Sequence, residues 1–81
     1  MDWDDLKIFL CVARSGQMTA ASKTLKLDHS TISRRIVRLE GQMKVTLFDR
    51  AGKRLRITPD GVKLLGVAES IESLYFRSST T

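Results

Sequence analysis

Residues 29–43 carry two opposed stripes, and this pattern limits the possible folds more than any other feature of the chain. The first stripe is apolar and recurs at helical spacing, within about 40° at 100° per residue: Ile32, Ile36, Leu39 and Met43. This stripe must face a core, so the opposite face must be solvated or bound. A shorter apolar helical pattern over 20–25 precedes it, and residues 26–28 form a tight connection. The sequence therefore predicts two short helices joined by a turn.

The outer face of the second of these helices has the chemistry of a groove-reading surface. Hydroxyl and basic side chains gather there: Ser30, Thr31, Ser33, Arg34 and Arg38. A helix that is apolar behind and basic in front is shaped to enter a DNA major groove, and its N-terminal end does most of the reading. We therefore predict a helix-turn-helix over about residues 19–43.

Individual roles on this face follow from position and side-chain chemistry. Arg34 can donate two hydrogen bonds to guanine or clamp a phosphate. Arg38 lies farther along the helix and is predicted to contact phosphate. His29 either reads a base edge or phosphate or is a simple surface residue. Arg35 is either part of the DNA face or structural, paired with Asp49 or Glu40.

The basic charge is concentrated in one third of the chain. The net charge is +5, and residues 29–56 carry eight Lys/Arg against two acids, or +6. Residues 1–28 balance at zero with four of each sign, and residues 57–81 carry two Lys/Arg against three acids, or −1. A localised excess indicates a polyanion-binding face, the alternative being an ordinary solvated surface.

A β-hairpin is predicted after the helix-turn-helix. Two β-prone runs, Val45–Phe48 and Leu55–Ile57, are separated by a connection containing glycine. The hairpin spans about residues 45–57 and has basic side chains at its tip and stems: Arg50, Lys53, Arg54 and Arg56. Long cationic side chains beside a recognition helix suit the DNA backbone or minor groove, and the alternative is a solubilising turn.

Helices are predicted on both sides of this unit. The first is capped by Asp4 or Asp5 and ends at Gly16, and Thr19 and Asp28 are predicted to cap the next two. The last helix covers residues 60–78 and follows a Thr58-Pro59 start signal. It is too apolar for a solvent-exposed tail, and the residues predicted to line a dimer seam are Val62, Leu65, Ile71 and Tyr75.

Several function classes are excluded by residues that the sequence lacks. One Cys and one His rule out an intrachain disulfide and a structural zinc site, and no other metal or cofactor is expected. We expect no enzyme, because no paired carboxylates, activated nucleophile or phosphate-cradling glycine loop is present. No apolar run approaches the ~20 residues of a membrane span, so a cytoplasmic location is expected.

The order of several short motifs resembles a known family. Residues 6–65 resemble the amino-terminal domain of LysR-type transcriptional regulators. The matching elements occur in sequence: Phe9 with Val12-Ala13; Gly16; Thr19-Ala20-Ala21 with Leu25; residues 30–40; Leu47-Phe48-Asp49-Arg50; Thr58 and Gly61. Each element is weak alone, but their joint spacing is specific.

The resemblance implies a mainly α winged helix-turn-helix over residues 1–59, with three helices and a two-stranded wing, followed by a linker helix. It implies a homodimer through that helix, with a tetramer possible for a longer protein, and binding to double-stranded DNA at inverted repeats with T…A cores. The implied groove readers are His29, Ser30, Thr31, Ser33 and Arg34, and the wing contacts come from Arg50, Lys53 and Arg54.

The chain departs from the family pattern in three residues and in length. His29 stands where glutamine is usual, Lys44 where glycine is usual and Met18 where phenylalanine is common. Lys44 must therefore accept a left-handed conformation or another turn. The effector-sensing domain of typical members is absent, so no small-molecule site is expected. The chain is either an excised domain or a short natural protein.

Two functions other than sequence-specific DNA binding remain as alternatives. A winged helix used for protein–protein contact would favour a neutral recognition face, whereas this face is basic. Sequence-independent nucleic-acid binding would use the same charges without base readout.

Overall fold

The structure, a computed structural model, describes the backbone of residues 3–51 and 54–79 and the side chains of residues 3–49 and 54–74. These residues form four helices and one two-stranded antiparallel sheet. In chain order they are α1 (Trp3–Ser15), α2 (Met18–Leu25), α3 (His29–Met43), β1 (Phe48–Ala51), β2 (Arg54–Ile57) and α4 (Pro59–Ser79). The predicted mainly α architecture, with a β wing and a long final helix, is confirmed.

Helix α1 is the centre of the fold and packs against the other three helices. Its buried apolar side chains form one core with those of α2, α3, α4 and the segment before the wing. The members of this core are Leu6, Ile8, Phe9, Leu10 and Val12 from α1; Ala21; Ile32, Ile36 and Leu39; Leu47; Leu64 and Ala68. The Phe9 and Phe48 rings lie 5.5 Å apart between centroids. Full burial of each large apolar side chain contributes about 1.5–3 kcal/mol. Because α1 supplies five of these buried side chains, the other elements are positioned against it.

The starts of α1 and α2 differ from the sequence prediction. Helix α1 begins at Trp3, so Asp4 and Asp5 lie inside its first turn and do not cap it from outside. Helix α2 is capped by Gln17, so Thr19 lies within the helix, and its predicted capping role is wrong. Gly16 ends α1 as predicted, with φ +69° and its N–H donating to Val12 O at 2.9 Å. The chain re-enters helical conformation directly after Gln17, before Thr19 is reached.

Two lysines end helices in the left-handed conformation. Lys26 closes α2 with φ 57°, and Lys44 closes α3 with φ 58°. The backbone N–H of each donates back to the preceding helix, to Ser22 O and Glu40 O respectively. Lys44 thus takes the left-handed conformation, which is one of the two alternatives predicted for it.

The first strand of the wing begins three residues later than predicted, at Phe48 instead of Val45. The backbone N–H of Leu47 donates to the Glu40 carboxylate at 2.7 Å, and that of Val45 donates to Glu40 O at 3.2 Å. Residues 45–47 therefore close the end of α3 and do not belong to the sheet. Pairing begins at Phe48 opposite Ile57 and reaches Ala51 opposite Arg54. Lys53, predicted at the tip, lies outside the described residues.

Helix α4 is fixed to the domain at its beginning. The Thr58 hydroxyl accepts the N–H of Gly61 at 3.0 Å, which confirms the predicted cap, and it donates to Thr46 O. The Thr58 N–H donates to Leu47 O at 3.0 Å. A Cβ atom on Gly61 would lie 2.5 Å from Leu47 O, so this position requires glycine. The first turn of α4 therefore rests directly on the segment that precedes the wing.

A second attachment lies two to three turns farther along α4. The Arg14 guanidinium donates to both carboxylate oxygens of Glu72, at 2.6 and 3.2 Å, and to Glu69 at 3.4 Å. These hydrogen bonds raise the pKa of Arg14 and lower the pKa of Glu72. Together with buried Leu64 and Ala68, they hold α4 along α1.

Candidate nucleic-acid interface

Helix α3 is the centre of the basic surface, and its two faces are separated as the sequence predicted. Ile32, Ile36 and Leu39 are buried, and Met43 is half-buried against the same core. The opposite face is exposed, with Val37 at 61% the most accessible large apolar side chain of this helix. Burial of one stripe fixes which side chains α3 presents to the outside.

A compact turn joins α2 to α3 and sets the start of the candidate reading surface. The backbone N–H of Leu27 donates to Ser22 O at 3.3 Å, and the Ser22 hydroxyl donates to Leu27 O. Asp28 then occupies the N-cap position with an extended backbone. The predicted cap position is confirmed, although the Asp28 side chain makes no capping hydrogen bond.

The Asp28 carboxylate instead organises the hydroxyls of the first turn of α3. Ser30 Oγ donates to Asp28 Oδ2 at 2.7 Å. Hydrogen bonds from the Thr31 and Ser30 side chains lower the pKa of Asp28. Since the Ser30 hydroxyl donates its proton in this bond, its oxygen can serve any further partner only as an acceptor. His29 beside it is exposed.

Two arginines of α3 are tied to a single buried carboxylate on α1. Arg35 Nη1 donates to Asp5 Oδ1, and Arg38 Nε donates to Asp5 Oδ2, each at 3.1 Å. The Asp5 side chain is completely buried, whereas the two arginine side chains remain 40% and 47% exposed. Arg35 therefore makes a structural ion pair, as one of its two predicted roles required. Its partner is Asp5, so the predicted partners Asp49 and Glu40 are wrong.

A shallow basic depression follows the outer side of α3. Its volume is about 400 Å³, and it is lined by Thr31, Arg34, Arg35 and Arg38. Arg34 is exposed, and Thr31 is half-buried at its edge. Three guanidinium groups in one open depression suit phosphate or a base edge.

A second basic depression lies between the wing and the start of α2. Arg54 and Arg56 point outward from β2, whereas Leu55 and Ile57 are half-buried and pack against the core. The depression, of about 730 Å³, is lined by residues 15–17 on one side and 54–56 on the other. The backbone around Gln17 and the two arginines therefore flank a common space.

The predicted DNA-binding residues divide into three groups. Those of α3 share one side of the domain: His29, Ser30, Thr31, Ser33, Arg34 and Arg38. Arg54 lies apart from them, on β2. Lys53 and the side chain of Arg50 lie outside the described part of the structure. The roles of all nine residues remain predictions.

The residues predicted for a dimer seam do not share one side of α4. Val62 and Ile71 are nine residues apart, which places them half a turn from each other. Leu65 is half-buried against the core, and the Tyr75 side chain lies outside the described part. A separate exposed apolar stripe exists at i, i+4 and i+7: Val67, Ile71 and Leu74.

Sequence reasoning missed two acidic residues that organise this surface. Asp5 lies at helical spacing from Phe9 and Val12, and a charged residue on an apolar stripe was the signal that it is buried and paired. Glu40 was considered only as a partner for Arg35, whereas it accepts the backbone N–H groups of Leu47 and Phe48. No sequence signal indicates that second role.

Neither a metal site nor a membrane-spanning helix is found among the residues that the structure describes. Among them, no group of three or more His, Cys, Asp or Glu side chains is placed to hold a metal ion. None of the helices, over the residues described, is both long and apolar enough to cross a membrane.

The order of helices, the turn before α3 and the β wing define a winged helix-turn-helix domain. The family model for bacterial regulatory helix-turn-helix proteins of the lysR family matches residues 3–62. This chain belongs to that family, and residues 3–62 are its helix-turn-helix DNA-binding domain. The family comprises transcriptional regulators and is not a family of enzymes.

Relatives and solved structures agree with this assignment. The chain is 40% identical over 74 residues to an HTH-type transcriptional regulator of the ibpB-leuC intergenic region of Azotobacter vinelandii, covering 91% of this chain and 51% of the relative. It is 41% identical over 75 residues to the regulator HdfR of Escherichia coli, covering 93% and 27%. A DNA complex of the CbnR DNA-binding domain matches with a TM-score of 0.91 and 34% identity, covering 99% of this chain and 92% of that chain. The chain thus spans about half the length of the first relative and about a quarter of the second.

Proposed function

We propose that this chain binds double-stranded DNA sequence-specifically as a homodimer, at an inverted-repeat site, and serves as the DNA-binding part of a transcriptional regulator. The observation that carries the proposal is the exposed N-terminal half of α3. Its hydroxyl and guanidinium groups project from a helix whose opposite stripe is buried in the core. Likeness to the DNA-bound CbnR domain supports the same use of this surface.

DNA binding proceeds in two stages that use different residues. The +6 charge of residues 29–56 attracts the phosphate backbone without regard to sequence. Arg34, Ser33 and His29 then reach base edges in the major groove, while Arg38 and the wing residues Arg50, Lys53 and Arg54 contact the backbone or minor groove. Chemistry is not catalysed, and no cofactor takes part.

Dimerisation proceeds through α4. The stripe of Val67, Ile71 and Leu74 offers three exposed apolar side chains on one side of the helix, and a second copy would bury them. Val62 and Leu65, on the other flank, are the alternative seam. Two recognition helices held in this way would meet half-sites about one helical turn or more apart.

The activities of a whole regulator extend beyond this chain. Relatives that are two to four times longer bear names of transcriptional regulators. We infer that the domain acts in the cytoplasm, and that a longer protein containing it would assemble as a dimer or tetramer.

The test is enrichment of duplexes from a randomised pool by the purified chain, followed by competition. We expect an enriched dyad with AT-rich half-sites, which an excess of scrambled duplex of equal composition does not displace. Affinity for it should fall steeply between about 50 and 200 mM salt, with a slope near −0.9 per phosphate contacted. Equal competition by the scrambled duplex would favour sequence-independent binding. If the chain retains no duplex from the pool even at low salt, the result would favour a winged helix used for protein–protein contact.

A further inference from the structure

We propose that Asp5 is a positioning residue for sequence discrimination. Its buried carboxylate holds Arg35 and Arg38 of the recognition helix in place and weakens their sequence-independent attraction for DNA. The proposal rests on the proposed DNA-binding function and adds a residue to it that lies on α1, outside the interface.

The geometry of the contact fixes the recognition helix in two respects. Each oxygen of Asp5 accepts a hydrogen bond from a different arginine, and the two arginines are three residues apart on α3. A carboxylate that bridges positions i and i+3 resists both rotation of α3 about its axis and sliding along α1. The apolar contacts of Ile32 and Ile36 restrain neither motion as sharply, because dispersion and burial are not directional.

Burial makes the contact hard to give up. Asp5 is completely buried, so a departure of both arginines would leave an unpaired charge in the interior. The arginine side chains are nearly half exposed and line the depression beside Arg34. Both arginines therefore lie on the proposed DNA-binding side of α3, while the Asp5 carboxylate holds them from the core side.

The charge of Asp5 has a second effect on binding. It lies 3.1 Å from each of two guanidinium groups and offsets part of their attraction for phosphate. Phosphate attraction is the sequence-independent part of the affinity, whereas base readout depends on the placement of α3 within about 0.5 Å. Both effects of Asp5 act in the same direction, toward a higher ratio of specific to non-specific affinity.

The experiment compares Asp5→Asn with Asp4→Asn in the full chain. The two substitutions change the net charge equally on adjacent residues of α1, but Asp4 is exposed, whereas Asp5 is buried beneath α3. The probes are the duplex enriched by the wild-type chain and its scrambled counterpart. Dissociation constants for both probes are measured across a salt series.

We expect Asp5→Asn to bind scrambled duplex at least as tightly as wild type, with a steeper salt dependence, and the enriched duplex less tightly. The ratio of the two affinities should fall about tenfold, since a small misplacement of the reading helix weakens every base contact. Asp4→Asn should keep the ratio within about twofold of wild type. Equal ratios for the two variants overturn the proposal.

If circular dichroism shows that Asp5→Asn does not fold, Arg38→Lys provides the test instead. Lysine retains the charge for phosphate but lacks the planar fork that Asp5 orients. The salt dependence should stay unchanged while discrimination falls across several base pairs of the site. Unchanged discrimination overturns the proposal. A loss of discrimination at one base pair alone also overturns it, because such a loss indicates that Arg38 reads that base directly. A wild-type chain that enriches no sequence would instead overturn the proposed function itself.

Discussion

Glu40 and Leu47 join the recognition helix to the wing: Glu40 Oε2 accepts the backbone N–H of Leu47 at 2.7 Å. The same oxygen accepts the N–H of Phe48 at 3.4 Å, where β1 begins. Leu47 O in turn accepts the N–H of Thr58, the cap of α4. The Glu40 side chain thus sets the path of the chain from α3 to the wing. The hydrogen bond between Thr58 and Leu47 continues this path to α4.

Glu40→Ala should destabilise the domain by about 1–3 kcal/mol, because two backbone N–H groups in a partly buried place lose their acceptor. Urea denaturation followed by circular dichroism measures the change. Glu40→Gln keeps an amide oxygen at the same place, so its cost should be smaller, about 1 kcal/mol. Equal costs for the two variants would show that the negative charge matters and the hydrogen bonds do not.

Gly61→Ala and Gly66→Ala should change stability in opposite directions, although both lie in α4. A methyl group on Gly61 would collide with the Leu47 carbonyl and the Ile57 side chain, so we expect a loss of about 1–3 kcal/mol. Gly66 has open space around it, and its replacement should gain about 1 kcal/mol of helix propensity. Thermal denaturation of the two variants separates the effects, and a stabilising Gly61→Ala would refute the close approach.

Lys44→Gly should stabilise the domain by about 0.5–1 kcal/mol, because glycine adopts the left-handed conformation at the end of α3 without a Cβ penalty. Lys44→Ala removes the same charge but keeps the penalty, and it is the matched control. The difference between the two variants in urea denaturation reports the backbone effect alone. Identical midpoints for glycine and alanine would contradict a left-handed residue here.

Arg34→Ala should weaken binding to the enriched duplex by about 1–3 kcal/mol and relax selectivity at one base pair. The reason is its exposed position near the start of α3, from which the guanidinium reaches a base edge. Binding to a panel of single-base-pair substitutions provides the measurement. An evenly weakened panel with unchanged selectivity would assign Arg34 to phosphate contact.

Ile71→Glu should convert the proposed dimer to a monomer, because it places a charge in the centre of the stripe formed by Val67, Ile71 and Leu74. Val62→Glu changes the opposite side of α4 and should leave the dimer intact. Sedimentation equilibrium of both variants gives the oligomeric state. A monomeric Val62→Glu beside a dimeric Ile71→Glu would move the seam to the other flank.

The local elements of this fold were readable from the sequence because their signals are short-range. The two-faced pattern of α3 depends only on the 3.6-residue period, and the start of α4 depends on the adjacent Thr58 and Pro59. At Lys44 the sequence left either a left-handed backbone or another turn open, and the structure has the left-handed backbone. The helix starts were less accurate, as Thr19 shows, because neighbouring residues compete for the cap position.

Long-range partners were decided by the tertiary structure alone. Asp5 and Arg35 are thirty residues apart, and only the packing of α1 against α3 brings them to 3.1 Å. Glu40 reaches the backbone of Leu47 because the chain turns sharply at Lys44. The sequence by itself determined which helix presents a polar, basic face and where the positive charge lies, through periodicity and composition. The tertiary structure decided what holds that helix in place, because a buried carboxylate takes its partners from whichever element the core packs against it.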